Sequence, residues 1–235
     1  MDRPLEGQIA LVTGASRGIG GATAEALGRA GAHVILTART SAGLEEVEER
    51  IHQAGGTATI APLDLTDPDS IGRLAQAISG RWDKLDILVL NAAMLGTLAP
   101  VQHLDAKEFA QLFTLNVSAQ AALIAGFDAL LRKAGKARVV GITSSVGATP
   151  RAFWGAYGAS KAAFDTLLGA YAEENRNTGK IAVAIVDPGA TRTKMRAQAY
   201  PGEDPAALKS PEDVAARILS LLTTGFGTGY RERIG

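Results

Sequence analysis

The chain has 235 residues, enough for one sizeable domain. Basic and acidic residues number 24 each, so the net charge is zero and no footprint for nucleic acid or an anionic membrane is expected. Cysteine is absent, which excludes disulfides and thiolate metal sites, and His33, His52 and His103 lack ligand spacing, so no metal site is expected.

The first seven residues lack an apolar core segment and do not read as a signal peptide. No apolar run reaches the length that crosses a bilayer, and a cytoplasmic protein is expected. Strand-like and helix-like segments then alternate. The pattern predicts strands near 9–13, 33–37, 57–61, 87–90, 138–142 and 182–186. It predicts helices near 18–30, 44–54, 69–79, 106–131, 157–175 and 211–222, with Asp67-Pro68 and Ser210-Pro211 as start signals. Segment 190–209 is the least regular part, and the glycine-rich end, 225–235, is a candidate seventh strand or a loose tail. The alternation predicts an α/β, doubly wound parallel sheet of six to seven strands, helices on both faces, as a single domain over 1–235.

Two motifs carry chemistry. The run Ile9-Ala10-Leu11-Val12-Thr13 leads into Gly14-Ala15-Ser16-Arg17-Gly18-Ile19-Gly20 and then a helix. Glycines there permit a tight turn and let backbone N–H groups approach a pyrophosphate at the helix N-terminus. The spacing, G-x-x-x-G-x-G, differs from the usual dinucleotide fingerprint but serves the same mechanics. In the second motif, Tyr157 and Lys161 lie four residues apart and share a helix face. An ammonium near a phenol favours the phenolate, so Lys161 is expected to depress the Tyr157 pKa and make it a proton donor and acceptor.

With these motifs the chain resembles the short-chain dehydrogenase/reductase family over essentially its whole length, and bacterial oxidoreductases of undefined substrate most of all. The elements that carry the likeness occur in order: Thr13-Gly14-x-x-x-Gly18-Ile19-Gly20, Asp64, Asn91-Ala92-Ala93, Asn116, Ser144-Ser145, Tyr157-x-x-x-Lys161 and Asp187-Pro188-Gly189. The resemblance implies a Rossmann-type domain that moves a hydride between a nicotinamide cofactor and a carbonyl or alcohol. It implies Tyr157 as acid and base, Lys161 on the nicotinamide ribose, and Asn116 anchoring a water that links Lys161 to solvent. A serine should polarise the substrate oxygen. Ser144 stands thirteen positions before Tyr157, the commonest family distance, and Ser145 twelve, so Ser144 is preferred and both stay open. The cofactor is expected to touch Gly14, Ser16, Arg17, Gly18, Ile19, Gly20, Arg39, Asp64, Leu65, Asn91, Ala92, Ala93, Tyr157, Lys161, Pro188, Gly189, Thr191 and Thr193. Asp64-Leu65 should hold the adenine, and Asn91 should sit under a ribose. Leu90-Asn91-Ala92-Ala93 departs from the family's Asn-Asn-Ala-Gly and narrows that space.

An acid normally ends the second strand where NAD is bound. Here the strand runs into Thr37-Ala38-Arg39-Thr40, and Arg39 with Arg17 suits a 2′-phosphate, so NADP(H) is expected over NAD(H). The family counterpart of 190–210 is a substrate lid. Pocket walls are expected at 93–98, 147–154 and 190–199, contributing Met94, Leu95, Leu98, Phe153, Trp154 and Met195, with Arg151, Arg192 and Arg196 nearby to meet an acidic group. The helices at 106–131 and 157–175 are rich in Ala, Leu and Gly on more than one face, and family members pair them, so a homodimer or homotetramer is expected. The competing reading is a dinucleotide-binding redox sensor or scaffold without catalysis, which the presence of both Tyr157 and Lys161 disfavours.

Overall fold

Strands that are buried on both faces carry unbroken apolar runs, and those runs become the centre of the sheet. The computed structural model describes residues 3–235. Its strands are β1 (Ile9–Thr13), β2 (His33–Ala38), β3 (Thr57–Pro62), β4 (Ile87–Leu90), β5 (Ala137–Ile142), β6 (Ile181–Asp187) and β7 (Tyr230–Arg233). All pair in parallel in the order β3-β2-β1-β4-β5-β6-β7. The order reverses between β1 and β4, where Val12 is in register with Val89. A doubly wound sheet opens a crevice at the carboxyl ends of its strands at such a point. Side-chain alternation along each strand sorts the core into two layers. Val12, Leu36, Val89, Val140 and Val186 face one side, and Leu11, Ile35, Leu88, Val139 and Ile185 face the other.

Helices α1 (Gly18–Arg29) and α2 (Ser41–Gln53) cover the first layer with α9 (Pro211–Thr224), whose Ser210 and Asp213 form a reciprocal capping box. Helix α3 (Ser70–Ser79) covers the second, beginning after Asp67-Pro68 with Asp69 at its cap position. The predicted single helix at 106–131 is three pieces: α4 (Ala106–Phe113), a π-helical turn (Thr114–Ser118) and α5 (Ala119–Ala134). Joined, Ala106–Ala134 is the one helix among the described residues long and apolar enough to match a bilayer by length and composition, a span the count of shorter apolar runs did not register. Its Leu112, Leu123, Phe127, Leu130 and Leu131 are buried.

A short helix α6 (Ser145–Ala148) and the long α7 (Gly155–Asn175) follow β5. The irregular segment after β6 contains α8 (Lys194–Ala199) and a 3₁₀ turn (Pro205–Ala207), and its two ends meet where Thr191 bridges Lys209. The C-terminal end is the seventh strand rather than a loose tail, and it sets Arg233 beside Asp187.

Candidate active site

At the switch point, β1 ends in Thr13 and turns through Gly14 toward α1. The Thr13 hydroxyl donates to the Val89 carbonyl at 3.2 Å and accepts the N–H groups of Asn91 and Ala92, each at 3.0 Å. The Asn91 side-chain amide donates to the carbonyls of Thr13 at 2.9 Å and Gly14 at 3.3 Å. A Cβ on Gly20 would collide with the Gly14 carbonyl and the Asn91 amide, so α1 reaches this depth only with glycine there. No side chain caps α1 and no acid stands in its first turn. Its first N–H groups and the positive end of its dipole are thus open to an anion. Arg17 and Arg39 are exposed, and among the described residues neither is ion-paired.

Three candidates for cofactor contact differ from one another in how they are held. The Asn91 amide is committed to the ends of β1, which closes the sheet crevice and leaves its carbonyl oxygen as the free end. Leu65 turns its side chain into the second core layer and is 6% exposed. Asp64 stays exposed, and its carboxylate accepts the Thr66 N–H at 2.9 Å and the Thr66 hydroxyl at 2.7 Å. Those two bonds hold its pKa below the usual carboxylate range, with the Arg39 charge assisting. Ala92 and Ala93 are half-buried at the mouth of the crevice.

The chemical groups come from α7, the π turn and the end of β5. Tyr157 and Lys161 are both buried. The Lys161 ammonium donates to the Ile142 carbonyl at 2.8 Å and stands 5.8 Å from the centre of the Tyr157 ring. Burial lowers the Lys161 pKa to about 8, against the pull of the Asp165 and Asp187 charges. The Tyr157 phenol is pushed up from its ordinary value, by burial first and the Asp187 charge second. The expected depression of the phenol pKa is therefore reversed in the protein by itself, because desolvating a phenolate outweighs an ammonium that is directed at a carbonyl. Asn116 sits at the middle of the π turn. Its side-chain oxygen accepts the Met94 N–H at 2.9 Å, and its amide donates to the Met94 carbonyl at 2.9 Å and the Ser160 hydroxyl at 3.0 Å. Asn116 thus fastens the loop after β4 to α7.

Helix α8 lies over this end. Thr193 caps it, its hydroxyl accepting the Arg196 N–H at 3.1 Å, and its methyl carbon would be 3.6 Å from a Cβ on Gly18. The Thr191 hydroxyl donates to the carbonyls of Pro188 and Gly189 at 3.2 and 3.3 Å. Both hydroxyls therefore shape the backbone in the absence of a ligand. Met195 reaches down until its sulfur is 3.9 Å from the Tyr157 oxygen. The methionine thus borders the approach to the Tyr157 hydroxyl.

Two cavities share walls here. A cleft of about 120 Å³ is lined by Ile19, Leu95, Ser144, Trp154, Tyr157 and Met195, with Asp187, Pro188, Gly189, Thr191 and Thr193 from the end of β6 onward. A cavity of about 250 Å³ is lined by Ser144, Ser145, Arg151, Arg196, Tyr200 and Arg233. Ser144 borders both, whereas Ser145 borders only the second. Of the expected walls, Leu95, Trp154, Met195, Arg151 and Arg196 take their places, while Phe153 points outward at 57% exposure and Met94, Leu98 and Arg192 line neither cavity. Sequence reasoning missed Arg233, Tyr200 and Asp165, and named Asp187 only as part of the motif with Pro188-Gly189. Asp187 borders both cavities; its Oδ1 accepts the Gly189 N–H at 2.9 Å, and Arg233 stands 3.5 Å from its Oδ2. Asp165, one turn beyond Lys161, accepts a short hydrogen bond from the Thr143 hydroxyl. The i,i+4 spacing from Lys161 was the available signal for Asp165, whereas Arg233 is placed by the pairing of β7 with β6 and Tyr200 by the fold of the segment after α8.

Comparison with known proteins gives this geometry its setting. The family model described as short chain dehydrogenase matches residues 8–204. The uncharacterized oxidoreductase YciK of Escherichia coli is 36% identical over 221 residues, covering 93% of this chain and 87% of that one. The solved short chain dehydrogenase of Salmonella enterica is 34% identical with a TM-score of 0.94, covering 99% and 98% of the two chains. A Shigella flexneri chain complexed with NADP is 35% identical with a TM-score of 0.94, covering 99% of each. The protein is thus an oxidoreductase of the short chain dehydrogenase family, with that family's Rossmann-type sheet.

Proposed function

We propose that the protein transfers a hydride between NADP(H) and a small-molecule carbonyl or alcohol, acting as a carbonyl reductase or, in reverse, an alcohol dehydrogenase. The observation that carries this is one cleft that Tyr157 and Ser144 line together with Ile19 of the glycine loop and Pro188, Gly189, Thr191 and Thr193. The open N-terminus of α1 fits a pyrophosphate, and the two unpaired guanidinium groups of Arg17 and Arg39 fit a 2′-phosphate. The NADP held by the Shigella flexneri relative agrees with that preference.

The cofactor, when bound, supplies or takes the hydride. The chain does the rest. Tyr157 keeps its proton at neutral pH, so it can donate it to a carbonyl oxygen as negative charge grows there. The Ser144 hydroxyl donates to the same oxygen, with Ser145 as the other candidate. Lys161 places a positive charge beneath the tyrosine and offers its remaining N–H bonds to the nicotinamide ribose. Asn116 fixes the height of the loop that carries Met94 and Leu95. Residues 190–210 act as a lid, with Met195 and Ala199 closing the cleft from above. We read the assembly as a homodimer or homotetramer and its setting as the cytoplasm.

The test is NADPH oxidation, followed by absorbance, over a panel of aldehydes, ketones, diketones and quinones, with NADH in parallel. The expected result is NADPH-dependent turnover that falls at least about a thousandfold in Tyr157→Phe. Replacing both Arg17 and Arg39 by Ala should raise the Michaelis constant for NADPH about tenfold or more and spare NADH. Equal losses for both cofactors would overturn the NADP assignment. Tight NADPH binding with no turnover on any member of the panel would favour the sensor reading.

A further inference from the structure

The cavity beside Ser144 is richer in positive charge than a neutral carbonyl requires. Three guanidinium groups, from Arg151, Arg196 and Arg233, border it against a single carboxylate, Asp187. Two of the three are already answered. Arg196 donates to Glu203 at 2.6 Å and stacks over the Tyr200 ring at 3.8 Å, and Arg233 stands 3.5 Å from Asp187. Arg151 has no carboxylate within ion-pair range among the described residues. Its one side-chain partner is the Tyr200 hydroxyl, at 3.5 Å. We propose that this cavity takes a carboxylate on the substrate, with Arg151 as its charge partner, so that the enzyme acts on carbonyl compounds bearing an acid group one cavity-length from the reacting carbon. The inference rests on the carbonyl reading of the same site and adds the substrate class.

The surroundings fit that use. Ser145 borders this cavity and not the tyrosine cleft, so its hydroxyl is available to a bound anion while Ser144 serves the reacting oxygen. Arg151 opens a tight turn in which the Trp154 N–H donates to the Arg151 carbonyl at 3.2 Å. The third position of that turn, Phe153, has φ 70°, a conformation that a turn normally gives to glycine. The turn is held by Trp154, whose ring lies 5.9 Å from that of Tyr157 and 5.8 Å from that of Tyr200. The same tryptophan thus packs between the proton donor and the tyrosine that meets the Arg151 guanidinium. A guanidinium without a carboxylate of its own can grip a planar carboxylate through paired N–H bonds.

The test uses the NADPH-saturated protein and two para-substituted alcohols that cannot turn over with reduced cofactor, 4-carboxybenzyl alcohol and 4-methylbenzyl alcohol, with binding measured by calorimetry. The carboxylate probe is expected to bind at least about tenfold more tightly than the methyl probe, and Arg151→Gln should reduce that preference by about tenfold or more. Arg151→Lys should restore part of it, and Arg192→Gln, outside both cavities, should leave it in place. Equal or tighter binding of the methyl probe by the wild type, or a preference that survives Arg151→Gln, would overturn the inference. Turnover of 4-methylbenzaldehyde without any preference for the acid would leave the hydride-transfer reading standing and remove the anion site. A preference that persists in Tyr157→Phe while turnover is lost would show the two to be separate properties of one site.

Discussion

Lys161 illustrates what a functional side chain costs the fold that carries it. Burial lowers its pKa from 10.5 to about 8. Between those values the unfolded chain holds a proton that the folded chain has released, so this group's contribution to stability rises with pH across that window. Below about pH 8 both states are protonated and the whole penalty, roughly 3 kcal/mol, is present. Lys161→Met removes the titration. Urea unfolding at pH 7.5 and 9.5 should show the wild type gaining roughly 2 kcal/mol on the variant between the two. Parallel pH profiles would contradict the buried, shifted ammonium. The raised Tyr157 phenol acts in the opposite sense: its folded-state proton is retained where the unfolded phenol ionises, so its contribution is lost only as the pH climbs beyond 10. Asp165 is also pushed up by burial, although the Thr143 hydroxyl, Arg231 and Lys161 pull it down. A turn of helix thus carries a desolvated base and a desolvated acid, the kind of arrangement found where chemistry is done.

At the scale of elements, the π turn connects fold and site. One extra residue in the helix between α4 and α5 turns Asn116 inward, where both faces of its amide satisfy the backbone of Met94. Asn116→Ala leaves that half-buried N–H and carbonyl without side-chain partners, at about 1–2 kcal/mol for each group. The expected outcome is a loss of roughly 2–4 kcal/mol by urea unfolding together with faster hydrogen exchange at the Met94 amide. Unchanged exchange there would show that the loop is held by other contacts. The strands were readable in the sequence to within a residue because β1 and β4 are buried on both faces and can be nothing but apolar. The π turn was not readable, although Asn116 at its centre was singled out, because the Met94 backbone that Asn116 meets lies 22 residues away. The same holds for the site. Tyr157 and Lys161 declare themselves by spacing within one helix, and Gly14, Gly18 and Gly20 by spacing within one loop. Asp187 and Arg233 come together only because β7 pairs with β6, a fact of strand order that no local pattern encodes. Asn91 and Leu65 stand as cofactor contacts on the resemblance; their side chains pack against the end of β1 and in the second core layer, partners that lie far off in sequence.

For the whole molecule, the outward faces of the two longest helical segments remain to be accounted for. On α5 the exposed positions Ala122, Ala125 and Ala129 continue from Ser118 along one stripe with no charge in it. On α7, exposed Ala159, Thr166 and Ala170 form a second stripe with half-buried Ala163 between them. The opposite face of α7 carries Tyr157 and Lys161, and the chain just before α5 carries Asn116. Small uncharged side chains let another helix pair approach closely and bury backbone as well as side chain. Pairing of these faces between two copies would clamp the elements that hold the catalytic groups, and would make the site's rigidity depend on assembly. Light scattering coupled to size exclusion should give a mass of two or four times the 24.3 kDa chain at micromolar concentration. Ala125→Arg places a charge in the middle of the stripe, where burial without a partner is costly, and should shift the population toward smaller species. Its melting temperature should fall and, unlike that of the wild type at the same concentration, should respond to dilution. A single species at the mass of one chain for the wild type would mean that these stripes face solvent and that the tyrosine and lysine are held by the sheet and α8 alone.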